Sequence, residues 1–188
     1  MNKYYQKFRE QASLGSRDPV FLQVLYNWLN KLDSINILNI GSERDLAVES
    51  RAGDGWANFY WAEFVQYKGG KLTIVDNDPK AIFACQLMLG DFVGKIDINF
   101  ITDSGLNHFN QPYNFVYLDG PDDNNFTLEC MQKIDKEKCS VLIDDANNGG
   151  KADLVKATYP NYWLFPCNYI HELIFYPSTE LKKKVLNY

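Results

Sequence analysis

The chain has 188 residues, 46% of them hydrophobic and 23% charged, a composition that sustains a buried core and excludes intrinsic disorder. Its net charge of -5 at neutral pH argues against nonspecific nucleic-acid binding, which needs a basic surface to displace counterions. No apolar run nears the ~20 residues of a membrane helix, so no membrane partner is expected. Cys85, Cys130, Cys139 and Cys167 show no C-x-x-C spacing, and no leader-like apolar stretch opens the chain. Together these predict reduced thiols in a cytoplasmic protein.

A single domain over 1–188 is expected, with its core at about 20–177 and residues 1–17 as a flexible arm or a short extra helix. Asp18-Pro19 predicts a helix start by capping and by proline in the first turn. Val20, Phe21, Val24, Leu25, Trp28, Leu29 and Leu32 then form one apolar stripe at helical spacing. Ile35–Ile40 reads as the first strand, ended by Gly41. A competing register places that strand at 45–50, with Glu49 as its terminal acid. Gly53-Asp54-Gly55 precedes a helix over about 56–67, broken by Gly69-Gly70.

The second strand covers 71–76, and Asp78-Pro79 starts the next helix. Strands follow at about 96–102 and 113–119, then a helix near 125–135 and a fifth strand at 139–144. A Gly149-Gly150 break leads to a short helix at 151–158. Two aromatic strands, 162–165 and 172–176, lie so close in sequence that they predict an antiparallel hairpin. The Lys182-Lys183-Lys184 run reads as a solvated end. Five alternations of strand and helix, then a hairpin, predict an α/β fold. Its sheet is doubly wound and mostly parallel, with about seven strands and the last hairpin antiparallel.

The pattern that bears on function is a carboxylate at the end of each of the second to fifth strands: Asp76, Asp103, Asp119, and Asp144 with Asp145. Ligands of open parallel sheets bind outside the carboxyl ends of the strands, so these acids describe one pocket. Two carboxylates about 4 Å apart repel by roughly 4 kcal/mol at an effective dielectric near 20, so the pocket calls for a cation, hydroxyl donors, or both. Asp76 stands 21 positions after Gly55, close to the spacing at which an acid meets ribose hydroxyls. Asp76 and Asp78 also suit a cap on the helix opened by Pro79. Asp76-Asn77-Asp78 further matches a metal-binding D-x-D of sugar-nucleotide transferases. Gly53-Asp54-Gly55-Trp56-Ala57-Asn58 fails as a dinucleotide fingerprint, because Asn58 stands where the last glycine or alanine belongs.

The order of elements, the closing hairpin and the strand-end residues resemble class I S-adenosylmethionine-dependent methyltransferases, over about residues 20–177. The looser glycine motif of that superfamily is matched by Asn39 and Gly41, then by the Gly-Asp-Gly-Trp helix start. The resemblance implies a cofactor site at Gly41, Gly53, Gly55, Trp56, Asp76, Asn77, Asp103, Ser104 and Asp119. Asp76 would meet the ribose, and Asp103-Ser104 the adenine amino group unless it only forms a turn. Asp119 with Asp144 or Asp145 resembles the Mg2+ triad of catechol-type O-methyltransferases, although Asn147 sits two positions beyond Asp145. Asp119, Asp144 and Asp145 are thus the candidate catalytic and metal-binding residues; oxygen ligands alone suit Mg2+ rather than Zn2+.

His108, expected on a surface loop, His171 at the last strand, and Lys151, a candidate base or an exposed helix-start residue, complete the inventory. The implied activity is methyl transfer to a small-molecule or sugar-type acceptor. A catalytically inactive relative that binds a nucleoside or a protein partner is the alternative. The aromatic hairpin is a candidate interface edge for a homo-oligomer.

Overall fold

The computed structural model describes residues 17–44, 46, 56–167 and 172–186. Gly53, Asp54, Gly55 and His171 lie outside the described residues, as do Glu49 and nearly all of the alternative register at 45–50.

Ile35–Ile40 (β1) alternates faces as a strand must. Ile35 and Ile37 enter one core and Leu38 and Ile40 the other. It pairs in parallel with Gly70–Asp76 (β2) on one side and Phe115–Leu118 (β4) on the other. Asp97–Thr102 (β3) extends β2, and Ser140–Ile143 (β5) extends β4, both in parallel. Trp163–Pro166 (β6) and Glu172–Tyr176 (β7) form the antiparallel hairpin, with β7 lying against β5. The seven-stranded sheet therefore runs β3-β2-β1-β4-β5-β7-β6. The chain order reverses between β1 and β4, the switch point at which such sheets open a crevice.

Both faces are covered, which is why the central strands are nearly continuous apolar runs. One face carries the helix of Asp18–Gln23 (α1), which continues through a π-helical turn at Val24–Trp28, and the helix of Ala57–Lys68 (α2). Every residue of the predicted apolar stripe from Val20 to Leu32 is buried. Phe21 sets its ring 5.1 Å from Trp61 and 5.7 Å from Tyr117, so α1, α2 and β4 lock together beneath the crevice. The other face carries the helices of Asn124–Lys133 (α4) and Asp153–Thr158 (α5) through Cys130, Met131 and Val155. Pro79–Met88 (α3) links β2 to β3 and buries Ile82 and Cys85 in the first core.

Three local expectations are corrected. Asp18 does not cap α1: it is the first helical residue, and Arg17 occupies the cap position without a side-chain cap bond. The Lys182–Lys184 run is not a solvated end but part of the helix Thr179–Leu186 (α6), which buries Leu181. Lys151 is not exposed; only 3% of its surface is accessible. Where capping was expected at Asp78 it is present, its carboxylate accepting from the Lys80 N–H at 2.8 Å.

Asp123 caps α4 in the same way, accepting from the N–H groups of Asn125 at 2.8 Å and Phe126 at 3.3 Å. Asp123→Ala should cost about 1 kcal/mol by removing this cap, read as a lower urea midpoint at unchanged denaturant slope.

Candidate functional site

Each strand of the parallel set delivers its terminal residue to one edge. A cavity of about 290 Å3 opens there, lined by Gly41, Asp76, Asn77, Asp103, Ser104 and Asp119, with Ile40, Val75 and Phe126 as its apolar wall. Six residues predicted from the sequence thus meet at one place. Trp56 is not among those lining this cavity; it precedes α2 in a left-handed conformation, with φ 40°. A larger cavity of about 510 Å3 lies at the opposite end of the sheet, around residues 109–114 and Cys139 where β4 and β5 begin. It has no strand-end acids, so the smaller cavity is the candidate site.

Gly41 is required by packing. Its φ is +97°, and a Cβ there would stand 2.1 Å from the Asp119 carbonyl oxygen. Only glycine lets the turn after β1 come this close to the end of β4. Asn39, where the resemblance to the methyltransferase glycine motif leads one to expect an acid, points into the core. Its Oδ1 accepts from Trp61 Nε1 at 2.9 Å, and its Nδ2 donates to the Gly41 carbonyl.

Asp76 is 8% exposed, and its two oxygens differ. Oδ2 accepts from the Ser42 N–H at 2.8 Å and the Ser42 hydroxyl at 3.0 Å, while among the described residues Oδ1 accepts only from the Asp78 N–H at 2.8 Å. A carboxylate has about four lone-pair sites, so Oδ1 keeps one for a ligand hydroxyl. Asp76-Asn77-Asp78 is therefore spent on a loop anchor and a helix cap, not on a D-x-D metal site. Asp103 accepts from the Ser104 N–H at 2.7 Å, from Asn107 Nδ2 at 3.1 Å, and lies 3.0 Å from His108 Nε2. The Ser104 N–H, then Asn107 and His108, hold its carboxyl below the ordinary range. His108 is half-buried against this turn.

Beside this cavity lies a second, about 200 Å3, which shares Arg44, Asp119, Gly120 and Pro121 with it and adds Arg17, Asp145 and Lys151. Oxygens of Asp119, Asp144 and Asp145 come within 4.8 Å of one another, so the sequence brings its three candidate metal ligands together. Two basic side chains reach them as well. Arg17 Nη2 donates to Asp145 Oδ1 at 3.0 Å, and its Nε lies 3.0 Å from Asp144 Oδ1 in an ion pair too bent for a hydrogen bond. Lys151 Nζ donates to Asp119 Oδ1 at 3.2 Å and to the Gly120 carbonyl at 3.1 Å, with Asp122 at 3.6 Å and Asp145 at 4.0 Å.

Burial pushes the Asp119 carboxyl well above the ordinary range, with Asp144 adding to the rise and Lys151 and Arg17 opposing it. Asp144, 1% exposed, is likewise raised by burial, against the pull of Arg17. Burial works to lower Lys151, but Asp119, Asp144 and Asp145 outweigh it and hold the ammonium charged. Lys151 is thus no free base.

A divalent ion fits this donor set poorly. The orphaned Oδ2 of Asp144 would welcome one, but Lys151 Nζ already stands between Asp119 and Asp145. A dication about 4 Å from that ammonium would meet a repulsion of about 8 kcal/mol at an effective dielectric near 20.

Arg17, Ser42 and Arg44 line the candidate cavities and Glu43 lies behind them, and the sequence pattern marked none of the four. Glu43 is buried, accepting from the Asn58 N–H at 2.8 Å and Asn58 Nδ2 at 2.9 Å, and so ties the loop after β1 to the start of α2. No local pattern marks a pairing across 15 residues.

No protein-family model and no curated protein matches the chain in sequence. Solved structures do match in shape. An O-methyltransferase from Bacillus cereus, in complex with S-adenosylhomocysteine, is 12% identical over 93% of this chain and 90% of its own, at a TM-score of 0.56. Magnesium protoporphyrin IX methyltransferase from Synechocystis PCC 6803, with bound S-adenosylmethionine, is 13% identical over 93% and 84%, at 0.55. An rRNA methylase from Streptococcus thermophilus is 16% identical over 83% and 94%, at 0.54. Strand order, antiparallel hairpin and these likenesses agree: the chain has the class I methyltransferase-like fold.

Proposed function

We propose that the protein binds S-adenosylmethionine in the 290 Å3 cavity and transfers its methyl group to a small-molecule acceptor. The observation that carries this reading is Asp76: a carboxylate at the end of β2, in the cavity wall, with one lone pair uncommitted. That is the group a ribose hydroxyl needs. Asp103-Ser104 and Asn77 border the same cavity where a nucleoside would continue, and Ile40, Val75 and Phe126 offer apolar contact to a base. Arg44 lines both cavities, and its guanidinium suits the carboxylate of an amino-acid tail.

Bound there, S-adenosylmethionine supplies an activated methyl on a positively charged sulfur. The chain's own task is to align the acceptor, keep water out, and receive the acceptor's proton. Asp119 and Asp145 border the polar cavity and are the carboxylates within reach of that proton; Asp144 is sealed behind them. The polar character of this second cavity, with Arg17, Asp119, Asp145, Lys151 and the more exposed Asp122 around it, supports a small polar acceptor. The acidic balance of the chain favours a small molecule over RNA, and its four free thiols suit a cytoplasmic protein. Among the described residues, no helix is long and apolar enough to cross a membrane.

An inactive, ligand-binding member of the fold is the second reading, favoured by Asn39, which stands where the family has an acid and faces the core. Calorimetry with S-adenosylmethionine and S-adenosylhomocysteine tests the cofactor site. Saturable heat with both is expected, and none at millimolar ligand would refute both readings. Methyl release over a panel of polar metabolites then separates the enzyme from the binder.

A further inference from the structure

The carboxylate cluster at the ends of β4 and β5 lacks a vacancy for a metal because the chain fills it. Asp119 and Asp145 flank Lys151 Nζ, and Arg17 pairs with Asp144 and with the other oxygen of Asp145. Lys151 is 3% exposed and is held at the start of the α5 segment, just after the Gly149-Gly150 turn. The turn itself is fixed: the Gly149 N–H donates to Asp153, and a Cβ at Gly150 would stand 2.5 Å from the Asp145 carbonyl oxygen. The backbone therefore delivers the ammonium to one place.

Two of its three hydrogens are committed, to Asp119 Oδ1 and to the Gly120 carbonyl. The third meets only longer contacts, to Asp122 and Asp145, beside the polar cavity.

We propose that Lys151 is the built-in cation of this cluster, standing where a divalent ion would otherwise sit, with its third hydrogen available to an oxygen of the acceptor. The inference rests on the methyltransferase reading for the acceptor's identity, but the cation's place depends only on the residues present. One consequence is a site whose carboxylates work without added metal. Another is that removing the ammonium should turn the cluster into a metal site, since Asp119, Asp144 and Asp145 would keep their oxygens within sharing distance.

Binding of Mn2+ to the full chain, followed by electron paramagnetic resonance of the free ion, tests this. The wild type should show no saturable Mn2+ binding below about 1 mM, while Lys151→Met should bind at least about tenfold more tightly. Adding Asp145→Ala to Lys151→Met removes a ligand oxygen and should abolish the gain, and Lys151→Arg should stay blind to the ion. Should Lys151→Met fail to fold by circular dichroism, Lys151→Gln provides the same loss of charge with a polar end. Saturable binding to the wild type that Asp145→Ala removes would overturn the proposal. So would a folded Lys151→Met or Lys151→Gln that gains no Mn2+ affinity. S-adenosylhomocysteine binding, measured on the wild type in parallel, reports on the cofactor reading alone, so failure of either is told apart.

Discussion

Asp76→Ala should lose both cofactor affinity and folding stability. From sequence alone, a residue that touches ribose would change affinity by at least tenfold and leave the melting temperature nearly unmoved. The structure revises the second half. Asp76 anchors the Ser42 N–H, the Ser42 hydroxyl and the Asp78 N–H, and all three lose their acceptor at once. Hydrogen bonds to a charged acceptor contribute about 1.5–3 kcal/mol each when the partner is orphaned, and partial rescue by water leaves a loss of about 3 kcal/mol. For a chain of this length that lowers the melting temperature by about 10 °C.

Ser42→Ala separates the two roles. It leaves the Asp76 carboxylate in place and releases one lone pair on Oδ2, so S-adenosylhomocysteine affinity should hold or rise while stability falls slightly. If Asp76→Ala melts early but binds S-adenosylhomocysteine as the wild type does, Asp76 is a loop anchor and nothing more.

The strands and their terminal acids were legible because both signals are local. An apolar run of β-branched and aromatic residues followed by Asp reads the same in any context, and β1 to β5 fell within a few residues of expectation. The closing hairpin was legible from the short span between its strands. What stayed hidden depends on contacts across the chain. Nothing near Arg17 announces a carboxylate 128 positions away, and Lys151 looks like any lysine after a glycine turn until Asp119 is placed beside it. The acids called for a cation, hydroxyl donors, or both, and the chain sets Arg17 and Lys151 against them. Whether the protein or the solvent supplies the cation is decided by three-dimensional neighbours alone. Helix α6 was missed because its three consecutive lysines read as a solvated tail, and Leu181 is the single buried residue among its eight.

Arg17→Met should destabilise the fold in a pH-dependent way. Asp144 is 1% exposed, and neither oxygen accepts a hydrogen bond, so the Arg17 guanidinium is its principal compensation. Removing one partner of a buried ion pair costs about 3–5 kcal/mol, because the remaining charge is stranded away from water. The carboxyl has an escape by taking up a proton. Burial already raises it above the ordinary range and Arg17 holds it down, so the variant's Asp144 titrates higher still.

The folded variant then binds a proton that the unfolded chain releases above about pH 4, and linkage makes stability fall as pH rises from there through the folded value. The deficit against the wild type should be smallest near pH 5 and largest near pH 9, measured by urea midpoints at each pH. Asp145, 38% exposed, is screened by solvent and adds little to the slope. Arg17→Met combined with Asp144→Asn removes the stranded charge and should recover most of the loss at high pH while flattening the profile. A deficit equal at all pH values, unaffected by Asp144→Asn, would mean that Arg17 matters for packing and that its charge does not govern the carboxylates at the mouth of the sheet.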